Sequence, residues 1–136
     1  MKRSSKTMIA AGLAFAVALQ QARADVVVIV SAQSTATITT NEIARVYLGE
    51  SNTMTPLDIA KPSLARREFY TKVVGKDDAQ VMASWSKLVF TGKGSAPKEL
   101  ASGADVVKAV AADPHAIAYV DRSFVNMTVK VIFTLK

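Results

Sequence analysis

The sequence contains no cysteine, and with cysteine go disulfides, thiol nucleophiles and thiolate metal sites. Histidine occurs once, as His115 after Asp113-Pro114, in a stretch that reads as a helix-to-strand turn. A lone histidine with no serine or cysteine motif around it fits a turn residue and not a general acid or base. No two carboxylates stand in a pattern that suggests glycosidase or aspartic-protease chemistry. The glycine-rich stretch Thr91-Gly92-Lys93-Gly94-Ser95 lacks Walker-loop spacing and follows a helical pattern instead of a strand. It reads as a mobile loop whose Lys93 is a secondary anion contact. These absences describe a chain that is not an enzyme and that calls for no cofactor and no metal.

Long apolar runs are equally scarce. The longest, Met8 to Leu19, is too short for a comfortable membrane span. It follows the basic run Met1 to Lys6 and precedes Ala22-Arg23-Ala24, so the first 24 residues read as a secretory signal cleaved after Ala24. The expected address is periplasmic, with a mature domain of about 112 residues, 25–136, large enough for one core. Removing Lys2, Arg3, Lys6 and Arg23 leaves thirteen basic residues against eleven acidic ones, a net charge of about +2 in place of +6. No basic stripe remains for nucleic acid or a membrane surface. Trp85, Lys87 and Phe90 could be grouped as an aromatic-basic patch, but at helical spacing Trp85 belongs to the core.

What is present alternates between strand and helix patterns. Val26-Val27-Val28-Ile29-Val30 is an unbroken β-branched run, suited to a central strand covered on both faces. Thr39-Thr40-Asn41 starts a helix over about 42–48, with Ile43, Val46 and Tyr47 on its inner face and Gly49 as its left-handed stop. Thr55 to Ile59 reads as a second strand. A helix follows from Ser63, with Ala65, Phe69 and Val73 at four-residue spacing. The next is capped by Asp77 or Asp78 and carries Val81, Trp85 and Val89 inward. Another covers about 103–112, burying Val106, Val107 and Val110. The final strands are 116–120 and 128–135, the last with Val129, Val131, Phe133 and Leu135 alternating. The chain has no internal repeat, linker or low-complexity tract, and one α/β domain follows.

The densest chemistry lies in Lys61-Pro62-Ser63-Leu64-Ala65-Arg66-Arg67. Ser63 stands at an N-cap position, and Lys61, Arg66 and Arg67 crowd the first turn, where the helix macrodipole is already positive. Cations and a hydroxyl at a helix start fit an oxyanion site. The same spacing fits a capped surface helix with scattered arginines.

The order of Asn41 to Glu50, then Ser63-x-x-Arg66-x-x-Phe69, then Trp85 and Phe90-Thr91-Gly92-Lys93-Gly94, then Ala116-Ile117-Ala118-Tyr119-Val120 resembles the phosphate ABC transporter substrate-binding family of periplasmic binding proteins, in its short members. The resemblance implies a single lobe of a type II periplasmic-binding-protein-like fold, with a small mixed sheet covered by helices. It further implies phosphate or a related oxyanion held at Ser63 and Arg66, with Lys61 and Arg67 beside them, and a membrane transporter or envelope protein as partner. In that family a serine-glycine-threonine followed by arginine opens the phosphate-binding helix. Here Leu64 and Ala65 replace the glycine and threonine, removing a close backbone approach and a hydroxyl. His115 and Ala118 likewise replace glycines, and the early serine-rich loop is absent unless Ser31, Ser34 and Thr35 serve. With one lobe and two or three charge-assisted hydrogen bonds, about millimolar affinity is expected. The alternative is a non-catalytic envelope scaffold that has lost ligand binding.

Overall fold

A computed structural model describes residues 24–136; the expected signal, apart from Ala24, lies outside the described residues. The valine-rich run forms β1 (Val26–Ser31), all six residues of which are buried. It pairs antiparallel with β4 (Ala116–Asp121) on one side and with β5 (Val129–Thr134) on the other. Beyond β4 lie β2 (Thr55–Ile59) and β3 (Lys98–Leu100), joined in parallel, which gives the order β3-β2-β4-β1-β5. The sheet is therefore mixed, as expected, and β1 is its apolar spine. Four α-helices accompany it among the described residues: α1 (Thr40–Tyr47), α2 (Leu64–Phe69), α3 (Asp78–Phe90) and α4 (Gly103–Ala112). A short 3-10 turn, Arg122–Phe124, links β4 to the last strand.

Local chemistry sets most boundaries. Thr39, Ser63, Asp77 and Ser102 cap α1 to α4, each side chain accepting a hydrogen bond from a backbone N–H three residues on. Asp77, not Asp78, caps α3, and Gln80 closes a capping box with it. Few aromatics are present, but they are concentrated. Tyr47, Phe69, Tyr70 and Tyr119 form one buried cluster, in which Phe69 stacks on Tyr119 at 4.4 Å and meets Tyr47 edge-on at 4.6 Å. All three tyrosines of the sequence are thus in the core, and each hydroxyl finds a buried acceptor. Trp85 joins them by donating from Nε1 to the Tyr47 carbonyl at 2.8 Å.

Four expectations need correction. α2 runs directly into a π-helical turn, Tyr70–Val74, so one extra residue enters the turn. The buried face becomes Ala65, Phe69, Tyr70 and Val74, and Val73 is only half-buried. In α3, Val89 is 51% exposed, because after Val81 and Trp85 the 3.6-residue period brings Leu88 inward instead. β3 falls where no strand signal exists. It has three residues, two of them charged, and is held by backbone pairing at the sheet edge. Lastly, the pairing of β1 with β5 slips between Val28 and Ile29, which puts Val131 and Phe133 on opposite faces and breaks the alternation expected for β5; Val131 is exposed.

Gly49 ends α1 at φ 75°, as the sequence indicates, and a Cβ there would lie 2.3 Å from Leu88 Cδ1. Gly49→Ala therefore meets both a left-handed backbone and the packing of α3. It is expected to cost at least about 1 kcal/mol from the backbone alone, with overlap added. Urea denaturation checks this, and a midpoint matching wild type refutes it.

Candidate functional site

The segment between β2 and α2 crosses the end of the sheet, and the Lys61–Pro62 peptide within it is cis. Ser63 is extended, and its Oγ accepts from the Arg66 N–H at 3.1 Å. Lys61, Ser63, Arg66 and Arg67 all line one open groove of about 410 Å³, together with Asp77 and Asp78 from the start of α3. The four residues singled out by charge and capping are therefore brought together. Lys93 is not among the residues that line this groove. Neither are Ser31 and Ser34, whose hydroxyls accept hydrogen bonds from backbone N–H groups within their own loop.

Arg66 is the unusual member. Its side chain is 2% exposed, and carboxylates from three elements meet it. Nη1 donates to the Ile59 carbonyl and to Glu99 Oε1, both at 2.9 Å. Nε donates to Asp78 Oδ1 at 2.9 Å. Nη2 lies 2.9 Å from that same Asp78 oxygen, but its N–H bonds are poorly aligned and it has no hydrogen-bond partner. Asp58, on β2, stands 4.0 Å from Nη1, and the Tyr70 ring packs against the guanidinium with its centroid 5.1 Å from Cζ. Arg66 thus ties α2 to β2, to β3 and to α3. Lys61 is also committed, its Nζ 2.9 Å from Asp78 Oδ2. Arg67 is exposed and makes no ion pair among the described residues.

Below the groove the polar network continues into the core. Asp58 is 3% exposed and accepts from the hydroxyls of Tyr119 and Tyr70, both at 2.5 Å. Burial pushes the Asp58 carboxyl up, partly offset by the two tyrosine donors and by Arg66. Burial and the neighbouring Asp58 charge push both tyrosines well above their ordinary range, so they remain neutral donors. For Arg66, burial is opposed by the charges around it, Asp58 first, and the net direction is upward, leaving it permanently cationic. At Asp78, burial raises the carboxyl while the hydrogen bonds of Lys61 and Arg66 lower it, with a net shift downward.

Sequence reading missed Asp58 and Glu99 entirely and took Asp78 only as a possible cap. One signal was available: an aspartate within the strand Thr-Pro-Leu-Asp-Ile requires a buried partner. Glu99 carried none, since its strand is formed only by pairing with β2.

Removing the arginine leaves the buried Asp58 carboxylate without its cation and breaks the ties to Asp78 and Glu99. Arg66→Ala is expected to lower unfolding stability by about 3–5 kcal/mol, measured in urea; a loss below about 1 kcal/mol would contradict the clamp. The depressed Asp78 carboxyl gives a pH signature. Its stabilisation is complete above the ordinary carboxylate range and is lost as pH falls through its folded value, from about pH 4 downward. The stability difference between wild type and Asp78→Asn is therefore expected to shrink on going from pH 6 to pH 3. A constant gap in the urea midpoints would rule this out.

No protein-family model and no curated protein matches the sequence. Solved structures do match. An ABC-type phosphate transport receptor from Vibrio cholerae superposes with a TM-score of 0.61 at 14% identity, over 79% of this chain and 45% of that one. PstS from Borrelia burgdorferi gives 0.58 at 12% over 80% and 46%. A phosphate ABC transporter substrate-binding protein from Clostridium perfringens with bound phosphate gives 0.60 at 15% over 79% and 44%. This chain spans less than half the length of these proteins, and at such identities the likeness is one of fold. Its mixed five-stranded sheet and covering helices share the fold of one lobe of these proteins.

Proposed function

We propose that this chain is a periplasmic, non-catalytic solute-binding module that takes phosphate or a related oxyanion weakly in the groove at the start of α2. The observation that carries the reading is the convergence of Lys61, Ser63, Arg66 and Arg67 on that one groove. Ser63 offers a hydroxyl, Arg67 a guanidinium with no ion pair among the described residues, Lys61 an ammonium on the rim, and Arg66 a fixed charge in the wall. No helix among the described residues is long and apolar enough to cross a membrane. The fold likeness to phosphate receptors supports the ligand class, and the expected basic and apolar leader supports the address.

Magnitudes set the affinity. Two charge-assisted hydrogen bonds contribute roughly 1.5–3 kcal/mol each when shielded, and this groove is open to water. Millimolar binding, about −4 kcal/mol, is what such a half-cleft supports. Tighter capture needs a second surface over the groove, from a transporter or another envelope protein.

A second reading has its own support. Arg66 is already engaged by Asp78, Glu99 and a carbonyl, and Lys61 by Asp78. On that account the lobe is an envelope interaction scaffold that has lost ligand binding, and Arg66 is purely structural.

Thermal-shift titration separates the two. With a Kd near 1 mM, 20 mM phosphate adds about 1.8 kcal/mol, enough to raise Tm by several degrees. The rise is expected to exceed that given by chloride at matched ionic strength and to vanish in Arg67→Ala. No excess over chloride, or an undiminished rise in Arg67→Ala, leaves the scaffold reading in possession.

A further inference from the structure

The groove has an occupant of its own. Asp78, in the first turn of α3, reaches the two cations, placing Oδ2 2.9 Å from Lys61 Nζ and Oδ1 2.9 Å from both Nε and Nη2 of Arg66. The Nε–Nη2 edge is the side of a guanidinium that grips two oxygens of one anion in parallel. Here that edge receives a single oxygen, and Nη2 is left buried with unsatisfied N–H groups. The other end of the guanidinium is locked independently, with Nη1 on Ile59 and Glu99. The fork is therefore held in place without Asp78 and filled incompletely by it.

We propose that the Asp78 carboxylate is a tethered pseudo-ligand: it holds the seat of a free tetrahedral oxyanion on Lys61 and Arg66 and sets the affinity of the groove by competing for it. The proposal rests on the oxyanion reading of this groove. A tetrahedral anion can give one oxygen to each nitrogen of the fork and a third to Lys61. Asp78, with two oxygens for three donors, cannot. Displacing it costs its contacts with Lys61 and Arg66, so the resident carboxylate keeps wild-type affinity low. Once it is gone, the site gains both a vacancy and a unit of positive charge. A monocarboxylate has only the two oxygens that Asp78 already offers and gains less.

The experiment is isothermal titration of wild type, Asp78→Ser and Asp78→Asn with inorganic phosphate, sulfate and acetate at one ionic strength, with folding checked by circular dichroism. Both variants are expected to bind phosphate and sulfate at least tenfold more tightly than wild type, with a smaller gain for acetate. The gain is expected to disappear when Lys61→Ala is added. Asp77→Asn is the control for bulk charge, since Asp77 borders the groove but touches neither cation and asparagine also caps a helix.

A wild type that binds phosphate with Asp78 variants that bind no better overturns the pseudo-ligand and leaves the oxyanion reading standing. A wild type that fails to bind with variants that do supports the pseudo-ligand and overturns weak binding by the native chain. Failure of all three folded proteins to bind overturns both. An equal gain in Asp77→Asn overturns the proposal, because the effect is then general charge. So does loss of folding in both Asp78 variants, because the carboxylate is then an obligatory part of the fold and not a replaceable occupant.

Discussion

A single buried guanidinium holds one end of this fold together. Arg66 sits 2% exposed among Asp58, Asp78 and Glu99, with a carbonyl from β2 as its fourth contact. A charge so far out of water is tolerable when most of its hydrogen bonds are met and opposite charges stand close. That requirement fixes geometry. The start of α2, the C-terminal end of β2, the edge strand β3 and the start of α3 must all approach one point. Two of the four contacts, Asp78 and Glu99, come from segments 12 and 33 residues away, so the clamp forms only when the chain has folded.

The clamp also explains a local anomaly. Lysine and arginine at a helix N-terminus oppose the macrodipole, and capping alone does not offset them. The offset comes from outside the helix. Asp78 neutralises Lys61 and one edge of Arg66, while Glu99 takes the other end of the guanidinium. Below, Asp58 is steadied by two tyrosine hydroxyls, and those tyrosines belong to the aromatic cluster on the sheet. Polar groove and apolar core are thus one continuous network. The same carboxylates that stabilise the wall already engage its two inner cations, Lys61 and Arg66.

Much of the architecture was written in the order of residues. The β-branched run at 26–30, the cap-to-glycine span from Thr39 to Gly49, and the valines of α4 each satisfy a local rule whose answer does not depend on the remainder of the chain. The places where reading failed share a cause. β3 has no apolar pattern and exists because β2 offers it hydrogen bonds. The π-turn after Phe69 and the slip in β5 each shift the side-chain phase by one residue, a shift invisible to a fixed period. Val89 was placed inward by counting fours, and a helix counts 3.6.

The sequence alone determined that thiol chemistry is absent, that strand and helix patterns alternate after the β-branched run of β1, and that Lys61, Ser63, Arg66 and Arg67 belong to one neighbourhood. Those conclusions depend on composition and on spacing within a turn or two, which tertiary contacts cannot alter. Only the tertiary structure decided what the neighbourhood's charge is worth. Asp58, Asp78 and Glu99 lie 8, 12 and 33 residues from Arg66 and reach it through strand pairing and helix packing. Electrostatic energy depends on distance through space and on exclusion of water, and neither is recorded in the order of residues.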